Sequence, residues 1–344
     1  PYVPGRPIDE VKKELGLEDV IKLASNENPL GPSPKAINAI RKALQDINRY
    51  PEGSALELKM ALSKKIGLPQ DHFIIGNGSN ELIVLAAEAF LNKGDLVLTS
   101  ELTFVVYEMV AQLMDANLIK VPMENYIYDI QNFITHLDKN VKMIFIANPN
   151  NPTGTMVTKK ETDELLAKIS DNTIVVFDEA YAEYVDREDY PDALQYVREK
   201  KNVIVLRTFS KIYGLAGLRI GYAIANPEII EVLNKVRQPF NVNSLAQAAA
   251  LSALKDVKHI AESIKVNSEG KQYLYNLFKE LNIEFVPTTA NFIFVDLKRN
   301  AKEIANRLLQ DGIIVREIGE TTIRITIGTF EQNEKFAQAF KKLW

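Results

Sequence analysis

Between about residues 50 and 240, short apolar runs alternate with stretches whose apolar residues recur at helical spacing. The runs at 72–75, 96–99, 117–121, 143–147, 174–177, 203–206 and 219–224 are strand-length and mostly β-branched or aromatic. Most are apolar throughout rather than alternating, which predicts strands covered on both faces. Helical patterns lie between most of them, as at 79–91 and 159–169. Strand and helix in alternation predict an α/β fold with a mostly parallel sheet covered by helices.

After Asn243 the texture changes. A helix-rich region at 244–281 precedes a strand at 292–296, a helix at 301–310, a strand at 322–327 and a helix at 333–342. That reads as a smaller α+β domain. Pro4, Pro7, Pro29 and Pro32 interrupt the first 33 residues, which are expected to run over the surface as an arm packed with the smaller domain. A helix is expected to start near Pro34. The expected division is therefore an arm at 1–33, a large domain at 34–243 and a small domain at 244–344.

Composition narrows the function classes. A chain of 344 residues is long enough for about two domains. With 41 basic and 45 acidic residues and no basic block, nucleic acid is not an expected partner. The longest apolar runs, such as 141–147 and 173–177, are far below a membrane span. The absence of cysteine excludes a disulfide framework and fits a cytoplasmic home. No charged-then-apolar secretory pattern opens the chain, and its start at Pro1 suggests that a few residues precede it. Only His72, His136 and His259 are present, so no metal site is expected. No Gly-x-Ser-x-Gly occurs, which argues against a serine hydrolase.

Four polar motifs follow predicted strands, where an open α/β sheet binds its ligands. The first is Gly76-Asn77-Gly78-Ser79-Asn80-Glu81. Its glycines and the helix N-terminus suit a phosphate at Gly78, Ser79 and Asn80, or else the motif is a glycine turn with Ser79 or Asn80 as N-cap. The second is Asn148-Pro149-Asn150-Asn151-Pro152-Thr153-Gly154, a fixed turn in which Asn151 can donate to a phenolate oxygen. In the third, Asp178-Glu179-Ala180-Tyr181, a carboxylate directly after a buried strand wants a cationic partner such as a protonated pyridine nitrogen. Tyr181 can join Asn151 at a ring hydroxyl, or Asp178 can be a cap and Tyr181 packing. The fourth runs from Arg207 to Tyr222. Lys211 supplies an amine for an imine, Thr208 and Ser210 supply hydroxyls, and Arg219 supplies a guanidinium. Taken one at a time, each has an ordinary structural explanation. Together and in this order they describe one ligand, pyridoxal 5'-phosphate (PLP).

The order phosphate turn, Asn-Pro-x-Gly, Asp-x-x-Tyr, Ser/Thr-x-x-Lys and Arg falls on Gly78–Asn80, Asn151–Gly154, Asp178–Tyr181, Thr208–Lys211 and Arg219. This arrangement resembles the fold type I PLP-dependent aminotransferases over nearly the whole chain. Finer signatures resemble the histidinol-phosphate aminotransferase family. They are Pro1-Tyr2-Val3-Pro4-Gly5, Ser25-Asn26-Glu27-Asn28-Pro29-Leu30-Gly31, Arg49-Tyr50-Pro51, Arg237-Gln238-Pro239-Phe240-Asn241-Val242-Asn243, Asn291-Phe292-Ile293-Phe294, Val315-Arg316 and Arg324-Ile325-Thr326-Ile327-Gly328.

The resemblance implies roles. Lys211 forms the covalent link to the cofactor and then shuttles the proton. Asp178 pairs with the pyridine nitrogen, and Asn151 and Tyr181 bind the ring hydroxyl. Ser79, Asn80, Ser210 and Arg219 hold the phosphate, with Gly78 and Thr208 beside it. Phe104 stacks on the ring, where many relatives carry Tyr. Tyr50 reaches the cofactor phosphate of a neighbouring subunit, which implies a homodimer. Tyr2, Arg316 and Arg324 bind the anionic end of the substrate. A cis Asn151-Pro152 peptide is expected.

The implied reaction exchanges an amino group between L-histidinol phosphate and 2-oxoglutarate, giving imidazole acetol phosphate and L-glutamate, in histidine biosynthesis. An aromatic-amino-acid aminotransferase or a threonine-phosphate decarboxylase would use the same scaffold. A PLP-binding regulator without turnover would more naturally carry a DNA-binding segment or lack the lysine. A dinucleotide-dependent dehydrogenase is disfavoured because the turn at Gly76 lacks the third glycine of that fingerprint.

Overall fold

The computed structural model describes residues 5–137 and 140–344. Seven strands form the main sheet: β1 (Phe73–Gly76), β2 (Leu96–Ser100), β3 (Asn117–Val121), β4 (Val141–Ala147), β5 (Ile174–Asp178), β6 (Val203–Thr208) and β7 (Gly221–Ala225). Their spatial order is β1-β7-β6-β5-β4-β2-β3. Only β7 runs against its neighbours β1 and β6. The C-terminal ends of the other six strands therefore share one edge of the sheet, and β7 begins there. All four polar motifs lie on that edge.

The unbroken apolar runs have a direct structural cause. On β5, Val175 and Phe177 point into one core while Ile174 and Val176 point into another. On β6, Val203 and Val205 face the first, and Ile204 and Leu206 the second. Strand side chains alternate with period two, so a sheet buried on both faces leaves no polar positions. The helices Ser79–Phe90, Val106–Leu113 and Pro227–Val236 cover the second face. The helices Pro34–Ala43, Leu56–Ile66 and Ser244–Ala253 lie on the first. Within Ser244–Ala253, Ala246, Ala249, Ala250 and Ala253 belong to the core of the main sheet. These small residues let the helix approach Pro34–Ala43 closely.

A second sheet contains β8 (Glu284–Val286), β9 (Phe292–Asp296), β10 (Arg316–Glu317) and β11 (Thr322–Thr326), all antiparallel, in the order β8-β9-β11-β10. It has its own core, in which Ile293, Val295, Ile323 and Ile325 meet Leu274, Phe278, Leu308 and Phe336 from the helices. The first residues belong to this part of the molecule. Ile21–Lys22 pairs in parallel with Ile313–Ile314, and Leu23 packs in the same core. The arm is also not free of regular structure. It contains a helix, Ile8–Leu15, that starts directly after Pro7 and ends at Gly16 with φ 66°. Proline before the first turn and a left-handed glycine after the last are helix punctuation, not helix breakers.

Candidate active site

Asp178 ends β5 and points to the same face as Val176, because it lies two residues further on. It is buried. The Tyr107 hydroxyl donates to Asp178 Oδ2 at 2.9 Å, and the Ala180 backbone N–H donates to Oδ1 at 3.2 Å. Burial pushes the Asp178 carboxyl above its ordinary pKa, and the Tyr107 and Ala180 bonds and the charge on Lys211 offset this only in part. A cation bonded directly to the carboxylate would complete this environment.

Lys211 follows β6 and is half-buried. Its Nζ donates to the Ser25 carbonyl at 3.2 Å and lies 5.6 Å from the centre of the Tyr181 ring. Its pKa is pushed down to about 8, first by burial and then by the charges of Arg324 and Arg219; Glu27 and Asp178 act the other way. Tyr181 is buried, and its hydroxyl accepts from Asn26 Nδ2 at 2.9 Å. Asn151 is half-buried and its side-chain oxygen accepts from Arg324 Nη1. The Asn151-Pro152 peptide is cis as expected, and Asn148-Pro149 is cis as well.

On the other side of Lys211, three strands meet in register. Gly221 of β7 pairs with Gly76 of β1 and with Thr208 of β6. A Cβ on Gly221 would stand 2.6 Å from the Ser79 backbone nitrogen and 2.8 Å from the Arg207 carbonyl. Glycine here lets the helix Ser79–Phe90 begin directly against the sheet edge. The N-cap of that helix is Gly78, with φ 82° and no side-chain cap. Its first amides are therefore not satisfied by a capping side chain, so the alternative reading of Ser79 or Asn80 as N-cap does not hold. A Cβ on Gly78 would collide with the Arg219 guanidinium. Arg219 Nη1 also lies 3.4 Å from Ser210 Oγ, and Thr208 Oγ1 accepts from the Ser210 N–H at 3.1 Å. Gly78, Ser79, Thr208, Ser210 and Arg219 thus form one polar cradle. Asn80 is exposed on the first turn of the helix.

Arg316 and Arg324 sit directly opposite each other on β10 and β11. Two arginines directly opposite in a ladder leave the same face of the sheet, a like-charge pair that favours an anion beside them. Arg324 is buried, with Cζ 5.2 Å from the Phe292 ring centre and Nη2 donating to the Ala24 carbonyl at 2.7 Å. Phe104 is half-buried and edge-on to Tyr107, with ring centres 5.8 Å apart. Tyr50 is not joined to this cluster. It is 82% exposed and stacks on Phe240. Tyr2 lies outside the described residues.

A model of the family described as aminotransferase class I and II matches residues 18–340. The chain belongs to the class I and II aminotransferase family. A histidinol-phosphate aminotransferase of Moorella thermoacetica is 51% identical across 100% of this aminotransferase chain and 90% of its own length. One from Caldicellulosiruptor saccharolyticus is 46% identical, covering 100% and 97%. Among solved structures, the histidinol-phosphate aminotransferase of Sinorhizobium meliloti in complex with pyridoxal-5'-phosphate superposes with a TM-score of 0.92 at 26% identity, covering 99% and 96%. The main sheet and its helices are those of the fold type I transferases.

Several residues of this site carried no assigned role in the sequence. Tyr107 reads there as one apolar position of an amphipathic helix, and nothing in its spacing announces Asp178. Asn26 and Ser25 stood within a quoted signature but without a function. Glu81 and Asn241 explain another signature. Asn241 Nδ2 donates to Glu81 Oε2 at 2.6 Å and to the Ile75 carbonyl at 3.2 Å, and Glu81 accepts from the Asn77 N–H at 2.7 Å. The segment around Asn241 thus buttresses the glycine turn from behind.

Proposed function

We propose that this aminotransferase interconverts L-histidinol phosphate plus 2-oxoglutarate and imidazole acetol phosphate plus L-glutamate, with PLP as cofactor, in histidine biosynthesis. The observation that carries the reading is the convergence of Lys211, Asp178 and Tyr181 beside an arginine, Arg324, that is bonded to Asn151. High identity to relatives named for this substrate supports it over the decarboxylase and the aromatic aminotransferases.

The residues fit PLP. A Cβ at Gly78 would displace the Arg219 guanidinium from the cradle, whose amides and guanidinium are donors suited to a phosphate. Ser79, Asn80, Thr208 and Ser210 complete that donor set. Asp178 is a buried acid short of a cationic partner, as a pyridinium requires. Asn151 and Tyr181 would meet the ring hydroxyl, and Phe104 the ring face. When bound, the cofactor supplies an electrophilic aldehyde and an electron sink.

The chain supplies the rest. Lys211 must be neutral to attack a carbonyl and to take the Cα proton of the substrate. With a pKa of about 8, roughly a tenth of the amine is neutral at pH 7, against roughly one in 2,500 for an ordinary lysine. The same Nζ can return the proton at the neighbouring carbon. Arg324 and Arg316, with Tyr2, would accept either a substrate phosphate or a carboxylate, since a guanidinium fork binds both. A homodimer is part of the proposal. Leu44, Ile47, Tyr50, Leu56, Met60 and Phe240 are all exposed apolar side chains, and a second copy covering them would carry Tyr50 toward the neighbouring phosphate site. We also propose the arm, large and small domains named above, with the change of core falling after Ser244–Ala253. A cytoplasmic location suits a chain without cysteine.

The test is direct. The purified protein with PLP should show an imine absorbance, distinct from that of free PLP, that vanishes in Lys211→Ala. Half-reaction rates should be highest with histidinol phosphate among histidinol phosphate, phenylalanine, tyrosine and threonine phosphate. A preference for phenylalanine, or loss of carbon dioxide from threonine phosphate, would replace the reading.

A further inference from the structure

The Tyr181 hydroxyl has one proton to give, and the hydrogen bonds around it decide which way that proton points. Asn26 comes from the N-terminal arm, is 1% exposed and has φ 56°, a left-handed conformation that asparagine tolerates better than most residues. Its backbone N–H donates to Thr326 Oγ1 at 2.9 Å. Thr326 Oγ1 lies 3.1 Å from Asn26 Oδ1. The threonine hydroxyl accepts from the backbone, so its single proton is free to go to the Asn26 side chain. Only the amide oxygen can receive it. In this arrangement Oδ1 faces Thr326 and Nδ2 faces Tyr181. The Asn26 amide thus donates to Tyr181, at 2.9 Å.

The consequence lies at Tyr181. Its oxygen already accepts, so its own proton is the one left to donate. Among the described residues that proton has no acceptor, although the hydroxyl is buried. The backbone of Asn26 is held too, since Asn291 Nδ2 donates to its carbonyl at 3.0 Å. Asn26 therefore stands braced against the second sheet through Thr326 and Asn291, with its amide reaching to the loop after β5.

We propose that Asn26 is a positioning residue that fixes the direction of the Tyr181 hydroxyl proton, so that Tyr181 meets the cofactor's ring oxygen only as a donor. The proposal rests on the reading that Tyr181 faces that oxygen. With the cofactor bound, a donor there would compete for the ring oxygen's electron pair and would make a proton shared between that oxygen and the Lys211 nitrogen easier to lose. Arg324, Asp178 and Lys211 also face Tyr181, and the variants below leave all three in place.

The experiment measures the pH midpoint of the bound cofactor's absorbance change in four PLP-loaded proteins: unmodified, Asn26→Asp, Tyr181→Phe and the double variant. Aspartate keeps the shape and tolerates the left-handed backbone, but its second oxygen accepts the tyrosine proton instead of donating. Asn26→Asp and Tyr181→Phe should each raise the midpoint by on the order of one pH unit. In the Tyr181→Phe background, Asn26→Asp should add nothing. A shift in Tyr181→Phe with none in Asn26→Asp overturns the inference. An equal shift from Asn26→Asp in both backgrounds also overturns it, because the new charge then acts without the tyrosine. No shift in Tyr181→Phe overturns the underlying placement of Tyr181 instead. If Asn26→Asp does not fold by circular dichroism, Asn26→Gly replaces it; its midpoint should rise by a smaller step, and an unmoved midpoint overturns the inference.

Discussion

Arg324 donates one arm of its guanidinium to the Asn151 side-chain oxygen and the other to the Ala24 carbonyl. An arginine of the second sheet thereby orients an amide of the first. With its oxygen engaged, Asn151 has only its Nδ2 protons left to offer a ligand. The same arginine is the largest influence after burial in depressing the Lys211 pKa to about 8. Removing a neighbouring cation makes an ammonium easier to keep, so Arg324→Ala should raise that pKa toward the ordinary value near 10.4. The rate of PLP capture by the cofactor-free protein should then rise with pH at a higher midpoint than before. Arg324→Lys retains the charge and should leave the midpoint nearly in place. The Michaelis constants of both substrates should also rise in Arg324→Ala. An effect on neither would sink the assignment of Arg324 to their anionic ends.

Asp178 gives a prediction whose sign depends on the cofactor. Its folded pKa is raised by burial, so the folded state holds its proton more tightly than the unfolded state. The stability associated with that proton is present below the unfolded pKa, near 3.9, and is lost as pH rises through the folded value. The cofactor-free Asp178→Asn variant should therefore be more stable than the unmodified protein at pH 7, with the gain disappearing at low pH. In the loaded enzyme the charge-assisted bond is missing, and kcat should fall roughly 10- to 100-fold. Thermal melts of the cofactor-free proteins across pH, with turnover of the loaded ones, check both signs. Lower stability of the cofactor-free variant at pH 7 would contradict the argument.

The limits of the sequence reading follow from what each kind of pattern encodes. Strand runs were legible because both faces of the main sheet are buried, as Val175 and Val176 show by facing different cores. The ends of β5 and β6 were placed short by one and two residues, since Asp178, Arg207 and Thr208 are polar yet still in the ladder. Helix Ile8–Leu15 was missed because Pro7 read as a breaker rather than as the residue before a first turn. Tyr107 and Asn26 could not be assigned by periodicity at all. Tyr107 reaches Asp178 across 71 positions and Asn26 reaches Tyr181 across 155. Contacts of that kind depend on how the elements pack, and no local spacing records them.

Gly78 separates phosphate binding from folding. Its φ of 82° disfavours any side chain, and a Cβ there would have to push the Arg219 guanidinium aside. Gly78→Ala must displace the guanidinium and strain the turn, at about 1–3 kcal/mol for a backbone region that is essentially glycine's alone. The PLP dissociation constant should rise on the order of tenfold or more, measured by equilibrium titration of the cofactor-free protein. Asn241→Ala should weaken binding by a different route, because Glu81 then loses the partner that holds it against the Asn77 N–H. If Gly78→Ala binds PLP as tightly as the unmodified protein, the cradle is not the phosphate site.

On the face of the sheet opposite Asp178, Glu179 and Arg207 form a pair that tests how the site is supported. Arg207 Nε and Nη2 both donate to Glu179 Oε2, at 2.9 and 2.8 Å. The glutamate side chain is 2% exposed and the arginine 21%. Period-two alternation puts this pair behind the strand ends that carry Asp178 and Thr208 in front. Burial raises the Glu179 pKa, and the Arg207 charge and bonds counter it. Arg207→Ala would leave a buried carboxylate without its cation, a loss of about 3–5 kcal/mol in comparable buried pairs. Replacing both residues with apolar side chains, Glu179→Leu with Arg207→Met, should recover most of that stability. Denaturant unfolding of the cofactor-free proteins measures the difference. If the pair only supports the sheet, the stable double variant should bind PLP normally, and weaker binding would show that the pair also sets the positions of Asp178 and Thr208.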